Sequence, residues 1–189
     1  VGEDDRPLWS APTPLVAVEG AWSRGEYRAV VRWVALAADS NAVNGLAHWQ
    51  RRRFRELGAR AQLKLGNFPA AAFELFTEQA GEWWPEERRH TKDPESEIAI
   101  LATGRFFERS RAGVEVELGR VREWAPPHRL VLDFYVASGP DAPTDVTITF
   151  TAEGDGTRVT VDHRPTAASA KIWTERAPRY AASWERVLE

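Results

Sequence analysis

The stretch Asp145–His163, D-V-T-I-T-F-T-A-E-G-D-G-T-R-V-T-V-D-H, constrains this chain more than any other. Val146, Ile148 and Phe150 alternate with Thr147, Thr149 and Thr151, and Val159, Val161 and His163 alternate with Arg158, Thr160 and Asp162. Successive side chains of a strand point to opposite faces, so each run is a strand with one dry side. Glu153-Gly154-Asp155-Gly156 between them supplies residues that tolerate positive φ, and the pair reads as an antiparallel hairpin. Such a hairpin is marginal alone in water, so the rest of the chain has to cover its dry face.

Four more strands precede it, at Ile98–Ala102, Gly104–Arg109, Val114–Glu123 and Arg129–Val136, separated by Ala112-Gly113 and Ala125-Pro126-Pro127. Val114, Val116 and Leu118 alternate with Glu115 and Glu117, while Leu130, Leu132 and Phe134 alternate with Val131, Asp133 and Tyr135. The expectation is an antiparallel sheet with one apolar face. The cover comes from a helix over about Ala167–Leu188, where Trp173, Ala177, Tyr180, Trp184 and Leu188 recur at helical spacing. Pro178 within it predicts a kink or a fresh start.

Residues 1 to about 20, with Pro7, Pro12 and Pro14, read as an extended arm. A helix from Gly25 to Asp39 carries Tyr27, Val30, Val31, Val34 and Ala35, and a second, capped by Ser40 or Asn41, carries Val43, Leu46, Trp49, Phe54 and Leu57 until Gly58 stops it. This hairpin is similar to part of a tetratricopeptide array, and with the arm it forms an expected domain over 1–59. The second expected domain, 60–189, starts with a strand at Arg60–Gly66. It continues with short helices bearing Phe73, Phe76 and Trp83-Trp84-Pro85, then a charged, mobile loop at Glu86–Ser96.

Composition excludes several chemistries. A net charge of −3 gives no global basic field for nucleic acid, and Arg51-Arg52-Arg53 with Arg55 and Arg60 reads as a solvated helix face. There is no cysteine, hence no disulfide, thiolate nucleophile or thiolate-bound zinc. The histidines at 48, 90, 128 and 163 show no ligand spacing, and no P-loop, Rossmann or G-x-S-x-G pattern occurs, so neither metal nor cofactor is expected. No run approaches the ~20 apolar residues of a membrane span, and the acidic start is unlike a signal peptide. A cytoplasmic location is expected. A chain without methionine is also expected to have lost its translation start, or a segment upstream of Val1. Nine tryptophans point to a large aromatic core or an aromatic-lined cavity.

Trp83-Trp84-Pro85, Gly104-Arg105-Phe106-Phe107-Glu108, the run G-R-V-R-E-W-A-P-P-H-R-L-V-L from Gly119 to Leu132, T-D-V-T-I-T-F and G-D-G-T-R-V-T-V-D-H-R together resemble the SRPBCC (START/Bet v1-like) superfamily. Within it they look most like the branch named for the activator of Hsp90 ATPase. The resemblance spans about Arg60 to Leu188. It implies an α+β helix-grip fold, a curved antiparallel sheet closed by a long C-terminal helix, here with an N-terminal helical extension. The segments after Ile98 and after His163-Arg164 are shorter than the family pattern, which bears on the pocket mouth. The helical hairpin lies outside that pattern.

The resemblance implies a cavity between sheet and closing helix. The dry faces of Leu132, Phe134, Ile148, Phe150 and Val161 and the helix stripe of Trp173, Tyr180 and Trp184 point to the same place, with Trp83, Trp84 and Phe106 from the family motifs beside them. His163 shares the parity of Val161, and Glu108 shares that of Phe106, where burial would raise its pKa. The leading expectation is a binder of a small hydrophobic or aromatic molecule. A second is a chaperone-associated or regulatory interaction module docking through the hairpin. A third is a cyclase, dehydratase or hydrolase acting on an aromatic or polyketide-like substrate through His163 and Glu108.

Overall fold

A computed structural model describes residues 14–39 and 46–188. The chain divides into two compact units, Val1–Ala71 and Ala72–Glu189. What was expected of residues 1–13, of the cap at Ser40 or Asn41 and of Val43 lies outside the described residues.

The first unit contains α1 (Pro14–Ser23), α2 (Tyr27–Asp39) and α3 (His48–Lys64). The expected arm is therefore helical from Pro14 onward, because Pro14 occupies the first helical position, where a missing N–H costs nothing. Leu15, Val18 and Ala21 of α1, Val30 and Ala37 of α2, and Phe54, Leu57 and Ala61 of α3 form one core.

The strand expected at Arg60–Gly66 is the last part of α3. Phe54, Leu57 and Ala61 continue the helical spacing into it, and Leu63, which would share a dry face with Ala61 and Leu65 in a strand, is 44% exposed. Gly58, expected to end the helix, is an interior residue where a Cβ would stand 3.0 Å from Val34 Cγ1; its smallness lets α2 and α3 approach. The stop is Gly66, with φ +75°. There Asn67 N–H donates to Gln62 O and Gly66 N–H to Leu63 O, the two bonds of a Schellman ending.

In the second unit the end of α4 (Phe68–Glu78) and the short α5 (Ala80–Trp83) lead into six strands. These are β1 (Glu97–Ile100), β2 (Arg105–Arg109), β3 (Glu115–Ala125), β4 (Arg129–Phe134), β5 (Thr144–Glu153) and β6 (Gly156–Pro165), followed by α6 (Ala170–Leu188). Every strand pairs antiparallel with its sequence neighbour in one sheet, and with the closing helix this is the α+β helix-grip fold. The opening hairpin forms as expected: Glu153 pairs with Gly156, leaving a two-residue loop whose first residue, Gly154, has φ +58°. Val146, Ile148 and Phe150 are buried. Phe150 packs against Phe73 and Phe76 of α4, with ring centroids 5.3 and 5.7 Å away. The far end of the hairpin's dry face is thus covered by α4.

Helix α6 runs through Pro178 without restarting. Its start is tied to the sheet by two hydroxyls, Thr166 Oγ1 and Ser169 Oγ, which both donate to Pro143 O at 2.6 and 2.9 Å. The short segment after β1 is a tight turn in which Gly104 N–H donates to Leu101 O.

Two register shifts in β3 alter the expected alternation. Leu118 and Val121 are both buried despite opposite parity, while Val114, expected to open this strand, precedes it and is 58% exposed. Phe107 sits on the sheet face opposite Phe106 and is still buried, because the Arg105 and Arg109 guanidiniums lie 4.2 and 4.9 Å from its ring centre. At the first shift Gly119 is required by space: a Cβ there would lie 2.5 Å from Asp133 O and 3.0 Å from the Phe106 ring. Gly119→Ala is expected to lower unfolding stability by about 1 to 3 kcal/mol, read from the denaturant midpoint. An unchanged midpoint would show that the β3–β4 approach is looser than the structure has it.

Candidate functional site

The second unit's core is dominated by aromatic rings, and most of the space between sheet and α6 is filled. Phe106, Leu132, Ile148 and Phe150 lie in the packed core, with Val161 and Trp173 packed against it. What remains is a cleft of about 90 Å³ lined by Trp83, Trp84, Phe134, Tyr180 and Trp184, and by Val136, Ala137 and Val187. Of the expected lining, these five aromatics face the cleft; Phe106, Leu132, Ile148, Phe150, Val161, His163 and Trp173 do not. Sequence reasoning missed the cleft's polar rim, Arg88, Arg176, Arg179 and Ser183. The available signal was helical spacing: Arg176, Tyr180, Ser183 and Val187 follow one another by three or four residues on one face of α6.

The polar tips of the lining aromatics are spent on the protein. Tyr180 OH donates to Val136 O at 2.9 Å, Trp83 Nε1–H to Phe76 O at 3.0 Å, and Trp184 Nε1–H to His163 Nδ1 at 3.1 Å. These bonds fix the rings and leave their apolar faces to the cleft. At the rim, Arg88 donates to Ser183 Oγ at 3.3 Å and Ala137 holds φ at +64°.

His163 lies behind this wall. An indole N–H can only donate, so Nδ1 is the bare nitrogen and Nε2 carries the proton, donating to Thr144 Oγ1 at 2.8 Å. Thr144 in turn donates to Phe134 O at 3.2 Å. Burial pushes the imidazole pKa from 6.5 down to about 4, with Asp162 opposing weakly. Protonating Nδ1 would set two donors against each other. Neither ring nitrogen is left to take a proton from a substrate.

Glu108 belongs to a different network. Its fully buried carboxylate accepts from His90 N–H at 2.6 Å, Thr91 N–H at 3.1 Å, Ser96 Oγ at 2.8 Å and the Thr91 hydroxyl. Arg89 reinforces the same loop by donating to Ser96 Oγ at 2.7 Å and Gly81 O at 3.0 Å. The segment expected to be a mobile loop is therefore tethered at its far half, and its first part is a 3₁₀ turn at Glu86–Arg88. Burial alone would raise the Glu108 pKa, as expected from sequence, but the Thr91, Ser96 and His90 donors outweigh it and the net shift is downward. Among the described residues no three His, Asp or Glu side chains converge as a metal site needs.

On the helical hairpin, Leu46 is buried while Trp49 is 64% exposed. The α3 arginines are engaged locally: Arg53 pairs with Glu19 and Glu56, Arg60 with Glu56, and Arg51 donates to Leu46 O. No helix among the described residues is long and apolar enough to cross a membrane.

The family model described as Activator of Hsp90 ATPase homolog 1-like protein matches residues 69–189. Among solved structures, protein MLL2253 from Mesorhizobium loti is 15% identical, over 64% of this chain and 85% of that one, with a TM-score of 0.41. The anthrahydroquino-Gama-pyrone synthase Txn09 is 30% identical over 51% of this chain and 69% of that one, with a TM-score of 0.36. No curated protein matches the chain.

Two outcomes follow from the site's geometry. The unfolded chain takes up a proton at His163 near pH 6.5 and the folded chain only near pH 4, so folded stability falls as pH drops through that interval. The loss should reach about 3 kcal/mol by pH 4, and His163→Gln should remove this part of the pH dependence in urea titrations. Equal slopes in the two proteins would refute it. Glu108→Gln replaces a carboxylate facing four donors by a group with one acceptor oxygen. It is expected to cost about 1 to 3 kcal/mol and to speed amide hydrogen exchange selectively over residues 90–96.

Proposed function

The chain belongs to the Activator of Hsp90 ATPase homolog 1-like family of the SRPBCC superfamily, and from that membership we propose that it binds a small hydrophobic or aromatic molecule in the cleft beside α6. The observation that carries this reading is the cleft itself. Its walls are aromatic faces whose N–H and O–H groups are already bonded within the protein, so an apolar guest would strip no hydrogen-bond partner from those rings. Binding without catalysis suits the two groups best placed for chemistry. His163 has both nitrogens occupied and Glu108 is saturated by loop donors. A protein partner at the N-terminal helices is the alternative, favoured by the exposed Trp49 and by Val16, Leu36 and Leu63, which are exposed on the same helices.

A thermal-shift screen of aromatic and short aliphatic compounds tests the reading. A ligand present at ~100 times its Kd should add roughly 2.7 kcal/mol of stability. Val187→Trp, which puts an indole into the cleft, should abolish the shift, whereas Val161→Trp, outside the cleft, should not abolish it directly. A broad panel with no saturable shift would refute the proposal and move attention to Trp49.

A further inference from the structure

The cleft is apolar inside and cationic at its rim. Arg88, Arg176 and Arg179 line it, and among the described residues no carboxylate does. Arg179 has a counter-charge in Glu175, 3.8 Å away on the same helix turn. Arg176 has no hydrogen bond or ion pair among the described residues, and its Nε is buried without a partner. Residues three and four positions from Arg176 on α6 are Trp173, Ile172, Arg179 and Tyr180, so helical spacing offers it no acid. Arg88 donates to the neutral Ser183 Oγ, and the Glu87 carboxylate beside it, itself paired with Arg186, offsets part of its charge. A guanidinium with a buried, unsatisfied N–H beside an apolar cavity is a group waiting for an acceptor.

Resting on the proposed binding reading, we infer that the ligand is an amphipathic carboxylate. Its apolar ring or short chain enters between Trp83, Trp84, Phe134 and Tyr180, and its carboxylate is held at the mouth by Arg176, with Arg88 and Arg179 adding to the positive field. The size agrees. At about 90 Å³ the cleft is smaller than the ~150 Å³ that encloses a whole benzene ring, so the body enters in part and its polar end stays at the rim. A guanidinium fork matches a carboxylate with two parallel hydrogen bonds, and such charge-assisted bonds are about twice as strong as neutral ones.

The test uses three ligands with one apolar body and different heads: phenylbutyrate, phenylbutanol and phenylbutylamine. Their dissociation constants are measured by titration of tryptophan indole N–H resonances in the full chain and in Arg176→Gln. The expected result is about tenfold tighter binding of the acid than the alcohol, and weakest binding of the amine. In Arg176→Gln the acid should fall to the level of the alcohol while the alcohol is unchanged, and added salt should weaken only the acid. Equal binding of acid and alcohol, or a preference that survives in Arg176→Gln, would overturn the carboxylate assignment and leave the apolar cleft standing. If none of the three binds, both readings fall.

Discussion

The hydrogen bond from Trp184 Nε1 to His163 Nδ1 is the interaction on which the arrangement around α6 depends. It joins the helix to the last strand, and through Nε2, Thr144 and Phe134 O it continues into β5 and β4. Because every member is half-buried or buried, each must be satisfied, and only the Nε2–H form of the imidazole does so. The bond therefore sets the tautomer and the side chain's neutrality. Tyr180, whose ring centre lies 4.2 Å from the imidazole, and Trp173 at 5.3 Å complete the seam. Such closure uses up space: the rings that hold α6 to the sheet occupy much of the volume that a larger guest would need.

The remaining cavity sits at the C-terminal half of α6, where the covering elements change. Near the β5–β6 turn, Phe73 and Phe76 of α4 cover Phe150. At the other end of the sheet, Trp84 of the α5 region meets Phe106 and Phe134 at 5.5 and 6.4 Å. Between Trp83 and Trp84 on one side and Tyr180 and Trp184 on the other, rigid indoles and phenols cannot close completely, since each is anchored by its polar tip. The cleft is a consequence of those anchors. Glu108 contributes at a distance by binding the chain at His90 and Thr91, just after the Glu86–Arg88 turn that supplies Arg88 to the rim.

Much of this was legible in the sequence where period and turn chemistry agreed. The β5–β6 hairpin, the antiparallel meander and the α6 stripe all follow from alternation of two or recurrence at three and four. Reading failed where one pattern imitated another. Ala61, Leu63 and Leu65 alternate like a strand, but Phe54, Leu57 and Ala61 continue a helix, and packing on α1 and α2 decides between them. Gly58 and Gly66 look alike in sequence; only close approach to Val34 and a positive φ tell a packing glycine from a stop. The site was half legible for a related reason. Apolar stripes announced Phe134, Tyr180 and Trp184, while Arg88, Arg176 and Arg179 look like ordinary surface charge until the fold places them around one opening.

The same comparison explains why the two most reactive-looking side chains serve the scaffold. His163 and Glu108 were singled out because their parity turns them inward, and inward they are. A polar group turned inward in a small domain meets donors and acceptors that also need partners, and each side chain is consumed by that demand. Arg176 differs from both. It borders the cavity with a buried Nε–H that nothing among the described residues satisfies, so polar capacity is left unspent at the cleft mouth. Any recognition of a guest's polar end therefore falls to the rim of α6, while the interior recognises only shape and apolar surface.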